Sequence, residues 1–131
     1  MSRETIVPDG MQAMYDNFHF APAVRSGKFV FCSGQIGIGP DGTPPENLEQ
    51  QFHLAFEGVG AVLEKAGAEL SDIVEMTTYH VGLQDHLQRF MAVKDHFVLP
   101  PYPAWSAIGV AELAVPGACV EIRVIARIEK D

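Results

Sequence analysis

The sequence predicts an α+β domain, a mixed β-sheet with two helices packed on one face. Two stretches repeat their apolar residues at the helical period, around 47–65 and 85–97, and several short β-rich segments flank them, the last alternating over 119–129. Turn signals are spaced as in one compact unit, and no repeat, charge block or linker divides the 131 residues, so residues 1–131 form a single domain. A chain of this size buries roughly two thirds of the surface its unfolded form exposes and needs no disulfide staple.

The elements follow in order. Ala23 to Arg25 and Lys28 to Ile36 are strand segments joined by a tight turn at Ser26-Gly27, and Asp41-Gly42 marks a second turn. In Phe29-Val30-Phe31-Cys32 both alternating sets are apolar, which predicts cover on both faces of that strand. From Asn47, the residues Leu48, Phe52, Ala55, Phe56, Val59, Val62 and Leu63 fall on one side of a helix. Asn47 with Gln50 resembles a capping box, and Gly67 suits the stop. Ile73 to Val81 is β-branched and reads as a strand. A second helix runs from about Asp85 to Phe97, with Lys94 inside its apolar arc, where it must snorkel or pair. Pro100-Pro101-Tyr102-Pro103 forms an extended connection. Strands follow at Trp105 to Val110 and Cys119 to Glu129, the latter with Val120, Ile122, Val124, Ala126 and Ile128 toward the core. Two helices cover one side of the sheet, so the other is expected to meet another subunit.

Charge and composition narrow the function. A net charge of −8 without a basic stripe argues against nucleic acid as a partner. No stretch approaches a membrane span, and the N-terminus has no apolar run, so a cytoplasmic location is the default expectation. Cys32 and Cys119 each sit in an apolar strand, as reduced cysteines do. The five histidines and two cysteines lack zinc-site spacing, so no metal is expected. Gly34-x-x-Gly37-x-Gly39 has the wrong order for a dinucleotide fingerprint and reads as a strand end with a turn. No nucleophile elbow surrounds Ser33 or Ser106, which are expected to hydrogen-bond rather than attack.

Glu121 interrupts an apolar strand centre. A carboxylate there is paired, hydrogen-bonded or kept neutral, and it is either a general acid or base or one half of an ion pair with Arg123. Gly34, where the first long strand ends, would let a ligand approach backbone N–H groups. Trp105, the single tryptophan, is a core anchor, an interface residue or the lid of a pocket.

Four motifs in order resemble the Rid (YjgF-type imine/enamine deaminase) family over about residues 15 to 128: Phe31-Cys32-Ser33-Gly34-Gln35-Ile36-Gly37; Glu64-Lys65-Ala66-Gly67-Ala68 with Asp72-Ile73-Val74; Tyr102-Pro103-Ala104-Trp105-Ser106; and Val120-Glu121-Ile122 with Ile125-Ala126. The resemblance implies a chorismate-mutase-like fold, a homotrimer with clefts between subunits, and hydrolysis of reactive imines or enamines to a carbonyl compound and ammonia, without a cofactor. By position it makes Glu121 the catalytic, water-positioning carboxylate, Phe20 the pocket aromatic and Gly34 a backbone donor; Trp105 and Ser106 complete the substrate-binding candidates. Some family members also carry a ribonuclease label, which the acidic balance ranks last here.

One departure from the family pattern stands out. Where deaminating members carry an arginine that clamps the substrate carboxylate, this chain has Trp105. Phe20 likewise lacks a phenolic hydroxyl, so the site reads as more apolar and suited to a neutral or aromatic ligand. Arg123 would either offer the pocket a cation or pair with Glu121 and lower its pKa. The alternative to an enzyme is a trimeric binding protein for an apolar or aromatic metabolite, with Trp105 as a stacking surface.

Overall fold

The computed structural model of the chain describes residues 3–129. Seven strands form one sheet: β1 (Glu4–Ile6), β2 (Ala23–Ser26), β3 (Phe29–Cys32), β4 (Gln35–Ile36), β5 (Ile73–His80), β6 (Ala104–Gly109) and β7 (Val120–Arg127). Their order is β1-β2-β3-β7-β5-β6, with β4 also paired to β7. All pairings are antiparallel except β5 with β6, which makes the sheet mixed.

Helices α2 (Leu48–Lys65) and α3 (Leu83–Phe97) pack on one face, as the periodicity predicts. The Asn47 side chain accepts the Gln50 N–H at 2.9 Å and opens α2. At the other end Gly67 takes φ +87°, and the Ala68 N–H reaches back to the Leu63 carbonyl. Phe52, Phe56, Val59, Val62 and Leu63 from α2 meet Phe90 from α3 and Val120, Ile122, Val124 and Ala126 from β7, all essentially closed to solvent. Each large side chain so buried contributes on the order of 1.5–3 kcal/mol. Phe90 stands edge-on to Phe52 and is stacked on Phe56. Gly37 lets this layer close, since a Cβ there would collide with the Gln51 main chain.

Several expectations need correction. A short helix, α1 (Gln12–Phe18), and strand β1 add an N-terminal arm that the sequence analysis did not anticipate. The segment read as one strand over Lys28 to Ile36 breaks at Ser33-Gly34 into β3 and β4, both paired to β7. The hairpin turn lies one residue later, at Gly27-Lys28, because Ser26 still pairs with Phe29 and Gly27 supplies the positive φ of 63°. Lys94, expected to snorkel or pair, needs no correction and pairs: its Nζ lies 4.8 Å from the Trp105 ring centre and 3.6 Å from the Asp95 carboxylate.

The expected double cover of β3 is absent in the single chain. Val30 and Cys32 are buried under the helices, but Phe29 and Phe31 on the other side are 40% and 41% exposed. The sheet therefore has a bare face, carrying Val24, Phe31 and Ile125 in one cross-strand row and Ile36, Glu121, Tyr79 and Ile108 in another.

Candidate functional site

Glu121 sits on that bare face, opposite Tyr79 on β5 and Ile36 on β4. It is half-buried, and burial raises its carboxyl pKa above the usual value. Among the described residues it has neither a hydrogen bond nor an ion pair, so the expected alternative of a structural pair with Arg123 does not hold. Its side chain instead lies across Gly34, where any Cβ would overlap the carboxyl group. The break between β3 and β4 thus seats the acid against a position where only a glycine leaves room for it.

Two residues along the same strand, Arg123 shares this face and stands opposite Thr77, which in turn pairs with Ser106. Arg123 is half-buried and, among the described residues, also without a hydrogen bond or ion pair. It lines a concavity of about 580 Å³ with Arg3, Thr5, Tyr15, His19, Phe20, Ala21, Val24, Phe31, Cys32 and Ser33. The Ser33 hydroxyl donates to the Ala21 carbonyl at 2.6 Å, and the Ser33 N–H donates to the Pro22 carbonyl. These two bonds tie the end of β3 to the segment bearing Phe20, and Ser33 hydrogen-bonds as expected. Cys32 is buried, and burial pushes its thiol up to about 12, outweighing the opposing pull of the Arg123 cation.

The six candidates divide. Glu121 and Gly34 touch; Arg123 and Phe20 line one cavity beside them; Ser106 is exposed on the same face in the Arg123 row. Trp105 lies elsewhere within the chain. It pairs in register with Met76, on the helix side of the sheet, packs on Phe90 and donates its indole N–H to Thr78 Oγ1 at 2.9 Å. Thr78 also bonds His80 at 2.8 Å, and His80 meets His86 at 3.0 Å, so a buried polar chain crosses the core beneath Trp105. Burial, and then the neighbouring His86, push the pKa of His80 down to about 4, which leaves it neutral.

Neither this buried polar network nor Arg3, Tyr15 and His19 in the cavity wall stood out in the sequence. His80 was detectable in principle as a polar residue in phase with the buried positions Met76 and Thr78 of its strand. Among the described residues no group of three or more His, Cys, Asp or Glu could hold a metal ion, and no helix is long and apolar enough to cross a membrane.

Residues 11–128 match the family described as Endoribonuclease L-PSP. The chain is 40% identical over 129 residues to the RutC family protein YjgH of Escherichia coli, covering 98% of this chain and 97% of that one. It is 35% identical over 115 residues to the 2-iminobutanoate/2-iminopropanoate deaminase of Dermatophagoides farinae, covering 84% and 86%. A solved structure of YjgH superposes with a TM-score of 0.89 at 39% identity over the whole of both chains. A match over nearly the full length, carried by both sequence and fold, means that this chain belongs to the Rid family, the RidA/YjgF/RutC group.

Proposed function

We propose that this chain hydrolyses a reactive imine or enamine to a carbonyl compound and ammonia, at a cleft that forms where copies of the chain meet. The observation that carries the reading is Glu121: an unpartnered, half-buried carboxyl group with a raised pKa, laid over Gly34 beside an open concavity. A group left in that state costs stability, and such a cost is retained where chemistry uses it. The bare face supports assembly, because it exposes the large apolar side chains Phe29 and Phe31 on β3 and Ile108 on β6, and apolar faces of this kind seldom remain in water. A homotrimer is the assembly we propose. The relative from Dermatophagoides farinae bears the name of an imine deaminase, which agrees with the reaction class.

In this reading Glu121, as carboxylate, takes a proton from water while the oxygen attacks the carbon of a protonated imine. The C–O bond forms as the C=N π pair moves to nitrogen, giving a carbinolamine. Glu121 then returns the proton to the amine, the C–N bond breaks as an oxygen lone pair forms the carbonyl, and the hydroxyl proton passes through the regenerated Glu121 carboxylate to the departing ammonia, which leaves as ammonium. Water is the only co-reactant. A raised pKa suits both halves, since a stronger base and a ready acid are needed in turn.

The binding-protein alternative loses its main support. It relied on Trp105 as a stacking surface, whereas that ring is partly buried, with one side packed against Phe90 and Lys94. To test the proposal, an amino-acid or amine oxidase generates a panel of imines, and carbonyl release is followed with and without the protein. Acceleration for at least one imine, lost in Glu121→Gln, is the expected result; no acceleration for any, or full retention by the variant, overturns it.

A further inference from the structure

We infer that His53 on α2 and His96 on α3 together bind one divalent transition-metal ion, copper(II) before nickel or zinc, on the outer face of the helical layer. The site stands apart from the hydrolase reading and from the proposed assembly, because the helices pack on the side of the sheet opposite the bare face.

The first ground is which histidines are free to coordinate. Of the five, His80 and His86 are buried and bonded to each other, and His19 lies in the wall of the cavity with Arg123. His53 and His96 remain, both exposed, with ring centres 6.5 Å apart and planes 23° from parallel. Among the described residues neither ring makes a hydrogen bond, which leaves nitrogen lone pairs on both for an ion. The absence of zinc-site spacing in the sequence is no bar, since the two ligands come from different helices.

The second ground is distance. With metal–nitrogen bonds of about 2.0 Å, two imidazoles on one ion place their ring centres about 4.5 Å apart at a right angle and about 6.4 Å apart in line. The observed separation meets the upper end of that span. Turning the rings about χ2, a broad torsion in histidine, brings their nitrogens toward a common point without moving either helix.

The third ground is the frame. One turn before His53, Glu49 forms an ion pair with Arg89 of α3; one turn after it, Phe56 stacks on Phe97 with ring centres 5.0 Å apart. The two helices are therefore clasped on both sides of the pair. His53 also rests at a steep angle against Phe97, 5.4 Å between ring centres, which restrains its ring before an ion arrives. A second arm held in place binds at a high effective concentration, so the pair gains far more than twice one histidine.

Charge agrees. The chain carries −8, Glu57 lies one turn beyond His53 on the same helix face, and the cations of α3 are engaged, Arg89 with Glu49 and Lys94 over the Trp105 ring. Imidazole suits late first-row ions, with copper(II) at the top of their affinity order. Two protein ligands leave the other positions to water, in keeping with the lack of any group of three ligands among the described residues. The buried thiols Cys32 and Cys119 do not compete.

Calorimetric titration of the full chain near neutral pH with copper(II) iminodiacetate, a carrier that keeps positions open for two imidazoles, tests the inference. One equivalent per chain is expected in the parent. His53→Gln and His96→Gln should each weaken binding at least 10-fold, and the double variant should lose little more than either, because removing one arm already destroys the chelate. His19→Gln should bind as the parent does. Electron paramagnetic resonance should show copper coupled to two ring nitrogens in the parent and to one in either single variant, and circular dichroism checks that each variant is folded. Parental affinity in the double variant, losses that add between the two singles, or a single coupled nitrogen in the parent overturns the inference. Imine turnover does not enter these measurements, so failure of the hydrolase reading leaves this one standing.

Discussion

Replacing Gly34 by alanine isolates the contact on which the candidate chemistry depends. Gly34 is not among the positive-φ glycines, so its backbone admits a side chain, and any penalty comes from what a Cβ would strike. That atom would stand 2.5 Å from both Cγ and Cδ of Glu121. Carbon atoms in contact settle near 3.5 Å, so the carboxyl group must retreat by about 1 Å. The obstacle is the far end of a flexible side chain, which puts the stability cost near the bottom of the overpacking range, about 1 kcal/mol. A 1 Å displacement of a reacting group, in contrast, costs on the order of 100-fold in rate, or about 2.7 kcal/mol of activation energy. Gly34→Ala should therefore melt close to the parent while its imine hydrolysis falls about 100-fold. A double-mutant cycle sharpens the test: in a Glu121→Gln background the alanine has no carboxylate left to misplace and should change the residual rate little. Parental turnover in Gly34→Ala, or a full second loss when the two changes are combined, would refute the idea that the glycine acts through the acid.

Other outcomes follow from the same coordinates. Gly37→Ala meets the Gln51 main chain, which cannot swing aside, and should cost about 3 kcal/mol, seen as a melting temperature lower by roughly 10 °C. Thr78→Val leaves the Trp105 indole N–H and a His80 ring nitrogen without their shared partner in the core; chemical denaturation should register a loss of about 2–3 kcal/mol, and a loss under 1 kcal/mol would count against the buried chain. His80 also gives the protein an acid-side weakness. The unfolded chain takes up that proton below about 6.5 and the folded chain only near 4, so the unfolded state gains stability as pH falls between those values. At about 1.4 kcal/mol per pH unit, His80 contributes a loss of about 3 kcal/mol by pH 4, and urea midpoints over this range should fall less steeply in His80→Phe. Phe31→Asp places a charge in the bare face and should lower the sedimenting mass of the proposed assembly toward that of one copy; an unchanged mass would remove the face from the interface.

The two long helices and the last strand were legible because each obeys a single period over many residues, and Phe52, Phe56 and Val124 have no other place to go than the core between them. The N-terminal arm was not: α1 has no buried residue and β1 only Ile6, so no run of apolar positions announces them. Glu121 was recognisable as a breach of the strand pattern, but its meaning was not, since an ion pair with Arg123 and an unpartnered acid write the same residues at the same spacing. Geometry separates them. The β3–β4 break leaves Gly34 without a side chain beside Glu121, the carboxyl group lies over that glycine, and it forms no ion pair with Arg123 among the described residues. Trp105 had the converse problem: an aromatic at the start of an edge strand fits either face, and only the parallel register with Met76 assigns it to the helix side. In the proposed reading the buried polar chain holding Trp105 on one face serves stability, and the unpaired acid and cation on the other serve chemistry. Substitutions along Thr78 and His80 should therefore act on folding, and those at Gly34, Glu121 and Arg123 on the ligand.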